Sequence, residues 1–313
     1  DSNMADSIIG LPAERIYGGN MKSGIEVAIL GANSSTKNKD IANGIASTKR
    51  FAGVTIIDVR SVTPSANELK SFDSLIVYNN YTYRDSKKLG DNLAAYADNG
   101  GGVVCMVFET SIRLGPNRPL AGRWAEKKYG VFANTSKDTR NWNSLGKILQ
   151  PGNPLVQNFR SLDGYYRLNK TGVLPGSTLV ATWKDGLPLI AYRKDIANVV
   201  GLNFYPVSKR VSSNGWNTKT DGWKLMANAL EWTAQGGNPD WLKVEPLSGT
   251  VKGKDMENVS VAFNSANLSE GNYSAELRVS SNDPVKPYQV VNIKLVVREN
   301  APPTATPSTF TLL

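Results

Sequence analysis

The feature that most restricts how this chain can fold is an alternation in its first half. IEVAILGAN at 25–33, VTIIDV at 54–59, SLIVYNN at 74–80 and GGVVCMVF at 101–108 are short, β-branched and almost continuously apolar. Between them lie segments of helical period. Ile41, Ile45, Thr48 and Ala52 share one face of the first. Leu89, Leu93, Tyr96 and Ala97 share one face of the second, with Asp85 or Ser86 placed to cap it and Asn99-Gly100 to close it. A strand without a polar face must be covered on both sides, and single helices between strands give right-handed crossovers. The pattern therefore predicts a doubly wound, mostly parallel α/β sheet.

Residues 111–177 are less regular and rich in turns. Order returns at 178–194 (TLVATWKDGLPLIAYRK), which reads as a hairpin turning at Lys184-Asp185-Gly186, and at 198–207 (NVVGLNFYPV), a further buried strand. Residues 220–237 give the clearest helix: Trp223, Met226, Ala227, Leu230 and Ala234 form one stripe, which Gly236 stops. From Trp241 the period changes to two, in Leu242 and Val244, in Val259, Val261 and Phe263, in Tyr273, Ala275, Leu277 and Val279, and in Val291, Ile293, Leu295 and Val297. Short alternating strands divided by turns predict an all-β immunoglobulin-like sandwich. The expected organisation is an N-terminal extension at 1–24, an α/β domain at 25–236, the sandwich at 241–298, and a Pro/Thr-rich linker and tail at 299–313.

Composition narrows the chemistry. The chain has no histidine, so no imidazole can serve as a general base, a metal ligand or the activator of a thiol or hydroxyl. Its single cysteine excludes an internal disulfide and any multi-cysteine metal site. The net charge of +9 would suit an anionic partner. Lys37, Lys39, Lys87, Lys88, Arg123, Lys127 and Lys128 are nevertheless dispersed among acidic and apolar neighbours, which reads as a solvated surface and not a nucleic-acid site. No apolar run approaches the ~20 residues of a membrane-spanning helix. The sequence begins at Asp1 without an initiator methionine, as a processed form or an excised fragment would. No cofactor and no metal are implied.

The motifs GGGVVCMVFET, LVATWKDGLPLIAYRK, VVGLNFYP and TDGWKLMANALEW resemble the class I glutamine-amidotransferase-like superfamily, especially its trehalose-utilisation-like branch. PDWLKVEPLSGTV and GNYSAELRVSSNDP resemble bacterial immunoglobulin-like modules appended to secreted and surface proteins. TPSTFTLL is similar to the segment that leads into the sorting domains of type IX secretion substrates. Together these resemblances imply an extracellular or cell-surface location.

In the catalytic amidotransferases the nucleophilic thiol stands at a strained elbow flanked by glycine. Here Cys105 lies between Val104 and Met106, which favour extended strand, and it reads as a core residue. Ligands of such sheets bind beyond the carboxyl ends of the strands, which makes Asn33, Asn79, Asn80, Glu109 and Thr110 the candidate ligand crevice. Glu109 is the one carboxylate there, and a paired acid for glycoside chemistry is not evident. Trp216, in the polar run SSNGWNTKT, is the candidate contact for a glycan or protein partner, with folding back over the sheet edge as its alternative. Thr309, Phe310, Thr311, Leu312 and Leu313 form a candidate assembly strand able to add to an exposed sheet edge. The reading that follows is a non-catalytic structural or assembly protein of the cell surface, self-associating or bound to other surface proteins. The alternative is a carbohydrate-binding or carbohydrate-active protein with polysaccharide as its partner.

Overall fold

Branched apolar side chains on both faces of a strand are buried only when helices cover both faces, and the first unit of the protein is built that way. The computed structural model describes residues 13–16, 24–112, 118–234, 242–246, 249–251, 255–265, 270–280 and 288–298. The chain divides into two compact units, 1–237 and 238–313.

The first unit runs β1 (Ala13–Ile16), β2 (Glu26–Ala32), α1 (Ser35–Ala46), β3 (Gly53–Ile57), α2 (Ala66–Leu69), β4 (Ser74–Asn79), α3 (Ser86–Asp98), β5 (Gly102–Met106) and α4 (Gly122–Glu126). It continues through β6 (Lys137–Ile148), β7 (Asp163–Asn169), β8 (Ser177–Trp183), β9 (Pro188–Arg193), β10 (Val199–Leu202) and α5 (Gly222–Ala234). The strands form one ten-stranded sheet in the order β1-β3-β2-β4-β5-β10-β9-β8-β6-β7. Its centre, β3-β2-β4-β5-β10, is parallel. Antiparallel strands extend it at both ends.

Two apolar layers sandwich this sheet. On one face Ile29, Ile76 and Val104 meet Ile41 and Ile45 of α1 and Leu225, Met226 and Leu230 of α5. On the other face Leu30, Val77 and Cys105 meet Leu89, Leu93 and Tyr96 of α3 and Trp124 of α4. Each such aliphatic side chain contributes about 1.5–3 kcal/mol by leaving water. Asp85 caps α3, its carboxylate accepting from the Lys88 amide at 2.9 Å.

The expected α/β sheet is present, with differences at its ends. The segment taken as an N-terminal extension contains β1, which pairs antiparallel with β3. The segment read as irregular contains β6 and β7. β6 (KDTRNWNSLGKI) is mostly exposed or half-buried, so it lacks the apolar alternation that marks a strand in sequence.

The second unit holds β11 (Leu242–Glu245), β12 (Ser260–Phe263), β13 (Gly271–Ser280) and β14 (Tyr288–Val297). β11 pairs with β12 and β13 with β14, all antiparallel, as two separate two-stranded sheets. The described residues thus show two strand pairs and do not by themselves establish the immunoglobulin-like sandwich expected at 241–298. The period of two does appear in β11, where Leu242 and Val244 are buried and Lys243 and Glu245 exposed. Val279 and Val291, assigned inward by the same alternation, are 44% and 49% exposed. A two-stranded ribbon buries a face only where something packs on it. The tail at 299–313, including the candidate assembly strand Thr309 to Leu313, lies outside the described residues.

Candidate binding site

The strand-end residues do not line one crevice. In the β2–β4 register Ala32 stands opposite Asn79, so Asn33 lies one residue past the end of β2, and the two asparagines have different partners. Asn33 is fully buried. Its amide donates to the Tyr205 hydroxyl at 2.6 Å, and its carbonyl accepts from the Ser34 amide, ahead of α1. Tyr205 in turn packs edge-on against Tyr78 and Tyr166, and tilted against Phe108.

The Asn79 amide donates to the Arg118 carbonyl, and among the described residues its Oδ1 has no hydrogen-bond partner. Asn80 is half-buried beside it. Glu109 is 5% exposed and accepts one hydrogen bond, from the Trp124 indole at 3.2 Å. Burial pushes its carboxyl up to about 8, against the hydrogen bond from Trp124. Thr110 is buried, and among the described residues its hydroxyl also has no hydrogen-bond partner. The Tyr83 hydroxyl is buried without a partner and is raised well above its ordinary value, first by burial and then by Glu109. The strand ends at Asn33, Asn79, Asn80, Glu109 and Thr110 are thus closely packed, with Phe108, Tyr205 and Trp124 among them.

Cys105 sits within β5, 3% exposed, opposite Val77 of β4 and Gly201 of β10. Burial, with a smaller contribution from Glu109, drives its thiol well above the ordinary value. An extended strand residue held as a neutral thiol has neither the geometry nor the charge of a nucleophile.

Of the two readings of Trp216, the structure agrees with the inward one: the ring is 1% exposed and does not offer a surface contact. Its indole N–H donates to the Pro206 carbonyl at 2.9 Å and its ring meets Trp223 edge-on at 4.6 Å. Gly222 makes the space, since a Cβ there would stand 2.5 Å from the indole. The buried ring anchors the loop that leaves β10. The Lys209 amide donates to the Trp216 carbonyl, and Asp40 of α1 accepts from both the amide and the hydroxyl of Ser208.

That loop forms one wall of a polar cleft of about 440 Å³, lined by Trp142, Asn143, Ser144, Asp163, Lys184, Lys209 and Asn217. Its floor arises from a β-bulge. Arg140 pairs with Tyr166 and Asn143 with Gly164, so Asn141 and Trp142 together oppose Tyr165. The extra residue turns the indole outward, leaving Trp142 44% exposed. Tyr165 supports the ring edge-on at 5.7 Å, and the Lys209 ammonium lies 5.0 Å from its centre. Asp163 accepts from the Ser144 hydroxyl at 2.7 Å and from the Asn217 amide at 3.2 Å. Lys184 enters from the β8–β9 turn, its amide donating to the Ser144 carbonyl. An exposed indole ringed by amide, hydroxyl, carboxylate and ammonium groups can stack on a ring-shaped ligand and hydrogen-bond its rim. Among the described residues no group of three or more histidine, cysteine, aspartate or glutamate side chains could hold a metal ion. No described helix is long and apolar enough to cross a membrane.

Sequence reasoning passed over Trp142. The available signal was an aromatic residue inside a polar run, TRNWNS, the same signal that singled out Trp216.

Residues 222–292 match the family described as the viral BACON domain. No curated protein matches the sequence. Similar solved structures include a protein described as ThuA-like from Bacteroides uniformis, with 14% identity, a TM-score of 0.47, and coverage of 70% of this chain and 96% of that one. Two proteins of Salmonella typhimurium described as cytoplasmic are also similar. One has 13% identity and a TM-score of 0.46, the other 11% and 0.47, and each alignment covers 66% of this chain and 98% of the other. The expectation of an extracellular or cell-surface location is corrected here, because these neighbours are described as cytoplasmic proteins.

Proposed function

We propose that this chain is a non-catalytic carbohydrate-recognition protein that binds at the Trp142 cleft, not at the strand ends. The observation that carries the reading is the exposed Trp142 indole, turned outward by the β6 bulge and bordered by Asn143, Asp163 and Asn217. A flat apolar ring beside amides and a carboxylate matches the two kinds of surface of a sugar, its C–H face and its hydroxyl rim. The trehalose-utilisation-like resemblance of the α/β motifs points to the same ligand class. Binding without turnover is supported by the absence of histidine, by the extended, neutral Cys105, and by Glu109, a lone carboxyl sealed beneath Trp124. The second unit reads as an immunoglobulin-like module of the BACON kind, in line with the match over residues 222–292.

The test is calorimetric titration of the whole chain with a panel of oligosaccharides, followed by analysis of the sugar for cleavage. Trp142→Ala is expected to weaken binding at least about tenfold, which is roughly 1.4 kcal/mol, while leaving the thermal midpoint unchanged. The ligand is expected to be recovered intact. Binding that survives Trp142→Ala unaltered, or an oligosaccharide recovered as fragments, contradicts the reading.

A further inference from the structure

We infer that the sugar recognised at this cleft is acidic, a carboxylate-bearing saccharide of the uronic acid class, with Lys209 and Lys184 receiving its carboxylate. The inference rests on the carbohydrate-recognition reading above and adds the charge of the ligand.

It follows from how the cleft's charges are committed. Asp163 is the only carboxylate in the lining, and both its oxygens are occupied by neutral donors, Oδ1 by the Ser144 hydroxyl and Oδ2 by the Asn217 amide. It forms a salt bridge with neither lysine and offsets only one of the two positive charges. The neighbouring acid, Asp185, is bonded by the buried guanidinium of Arg167 at 2.7 Å. Among the described residues Lys184 and Lys209 take part in no salt bridge, and both are exposed. Two ammonium groups against one engaged carboxylate leave the cleft with an excess of positive charge.

Lys209 rests meanwhile on the face of Trp142, 5.0 Å from the ring centre. A cation over an aromatic face is held weakly at an exposed site, and a carboxylate is the stronger partner. A ligand carboxylate therefore draws the ammonium off the ring and uncovers the surface on which the sugar stacks. A neutral sugar must displace the same lysine and offers it no charge in return. The difference is a preference for the acidic form at the same ring.

The test compares acidic oligosaccharides, namely oligomers of galacturonate, alginate and hyaluronan, with their carboxyl-reduced counterparts, which keep linkage and ring and lose only the charge. Titrations are run on the full chain at low and at high salt. The acidic form that binds is expected to bind at least about tenfold tighter than its reduced counterpart and to weaken as salt rises. Lys209→Met and Lys184→Met are each expected to reduce affinity for the acid several-fold and to narrow its advantage over the reduced sugar, which in Lys209→Met no longer has an ammonium to displace from the ring. Both lysines are exposed, so these variants keep the fold, and an unchanged melting curve verifies it. Equal binding of acidic and reduced forms overturns the acidic preference and leaves carbohydrate recognition standing. Binding of no sugar, acidic, reduced or neutral, overturns both. An acidic preference that persists unchanged in both lysine variants overturns the assignment of the carboxylate to Lys209 and Lys184.

Discussion

The strand ends and the β6 bulge are built from similar residues and come to opposite ends. At the strand ends Asn33, Asn79, Glu109 and Thr110 are withdrawn from water, and Asn33, Asn79 and Glu109 bond to protein groups. At the bulge Asn143, Asp163, Asn217 and two lysines border open space around an exposed indole. The difference lies in what packs on each. The parallel centre of the sheet is covered by helices on both faces, and its ends receive large side chains, Phe108, Tyr205 and Trp124, that fill the crevice. β6 belongs to the antiparallel extension, where a register shift sends one side chain outward. A fold-level rule about where ligands bind thus gives way to which side chains occupy the place.

The sharpest contrast to test is the sealed character of Glu109. Its carboxyl is held protonated, with a folded value of about 8 against an ordinary 4.5, by burial. Between those two values the folded chain keeps a proton that the unfolded chain releases. The contribution of Glu109 to stability is therefore full below about pH 4.5, falls as pH rises, and is gone above about pH 8. At about 1.4 kcal/mol per unit the fall is on the order of 5 kcal/mol. Denaturant titrations across this range are expected to show that decline in the parent, and Glu109→Gln is expected to remove its steepest part. A parent and a Gln variant with the same pH profile would mean that Glu109 is open to water.

Next in size is the anchor of the cleft wall. Trp216→Ala is expected to cost about 3–5 kcal/mol through loss of a buried indole and the cavity left behind. It should also abolish sugar binding, because Lys209 and Asn217 ride on the loop that the ring holds. Retained affinity in a folded variant would detach the loop from the site.

The smallest effect concerns Cys105. Cys105→Ala is expected to cost about 1 kcal/mol. The native thiol should label slowly, and quickly only in denaturant. Rapid labelling of the folded chain would put Cys105 at a surface, against its place in β5.

Much of the first unit was legible in the sequence because its signal is physical and local. Unbroken apolar runs between helical stripes admit little but a covered parallel sheet, and β2, β3, β4, β5 and α3 lie close to where those runs and stripes put them. β6 was illegible, since half-exposed strands bear no apolar period and its pairing with β7 and β8 is set by distant residues. The second unit shows the converse. Alternation predicted its strands, but not what packs on them.

The Trp142 cleft escaped the sequence for a related reason. Trp142 and Trp216 both stand in polar runs rich in asparagine and serine, and nothing local tells them apart. What separates them is tertiary. Gly222 leaves room for Trp216 to turn inward, while the bulge at Asn141 and Trp142 leaves the other ring outside. The partners of Asn33 and Asn79, the Tyr205 hydroxyl and the Arg118 carbonyl, are likewise distant in sequence and visible only in the fold.

The measurement that bears most directly on recognition at the bulge is hydrogen–deuterium exchange of the whole chain, with and without a saturating acidic oligosaccharide. The account predicts added protection in the β6 bulge at 141–144, in the β8–β9 turn at 184–186 and in the anchored loop at 207–217. It predicts no change at 79–83 or 107–112. Protection confined to those strand-end segments, with the bulge and the loop unaffected, would contradict it.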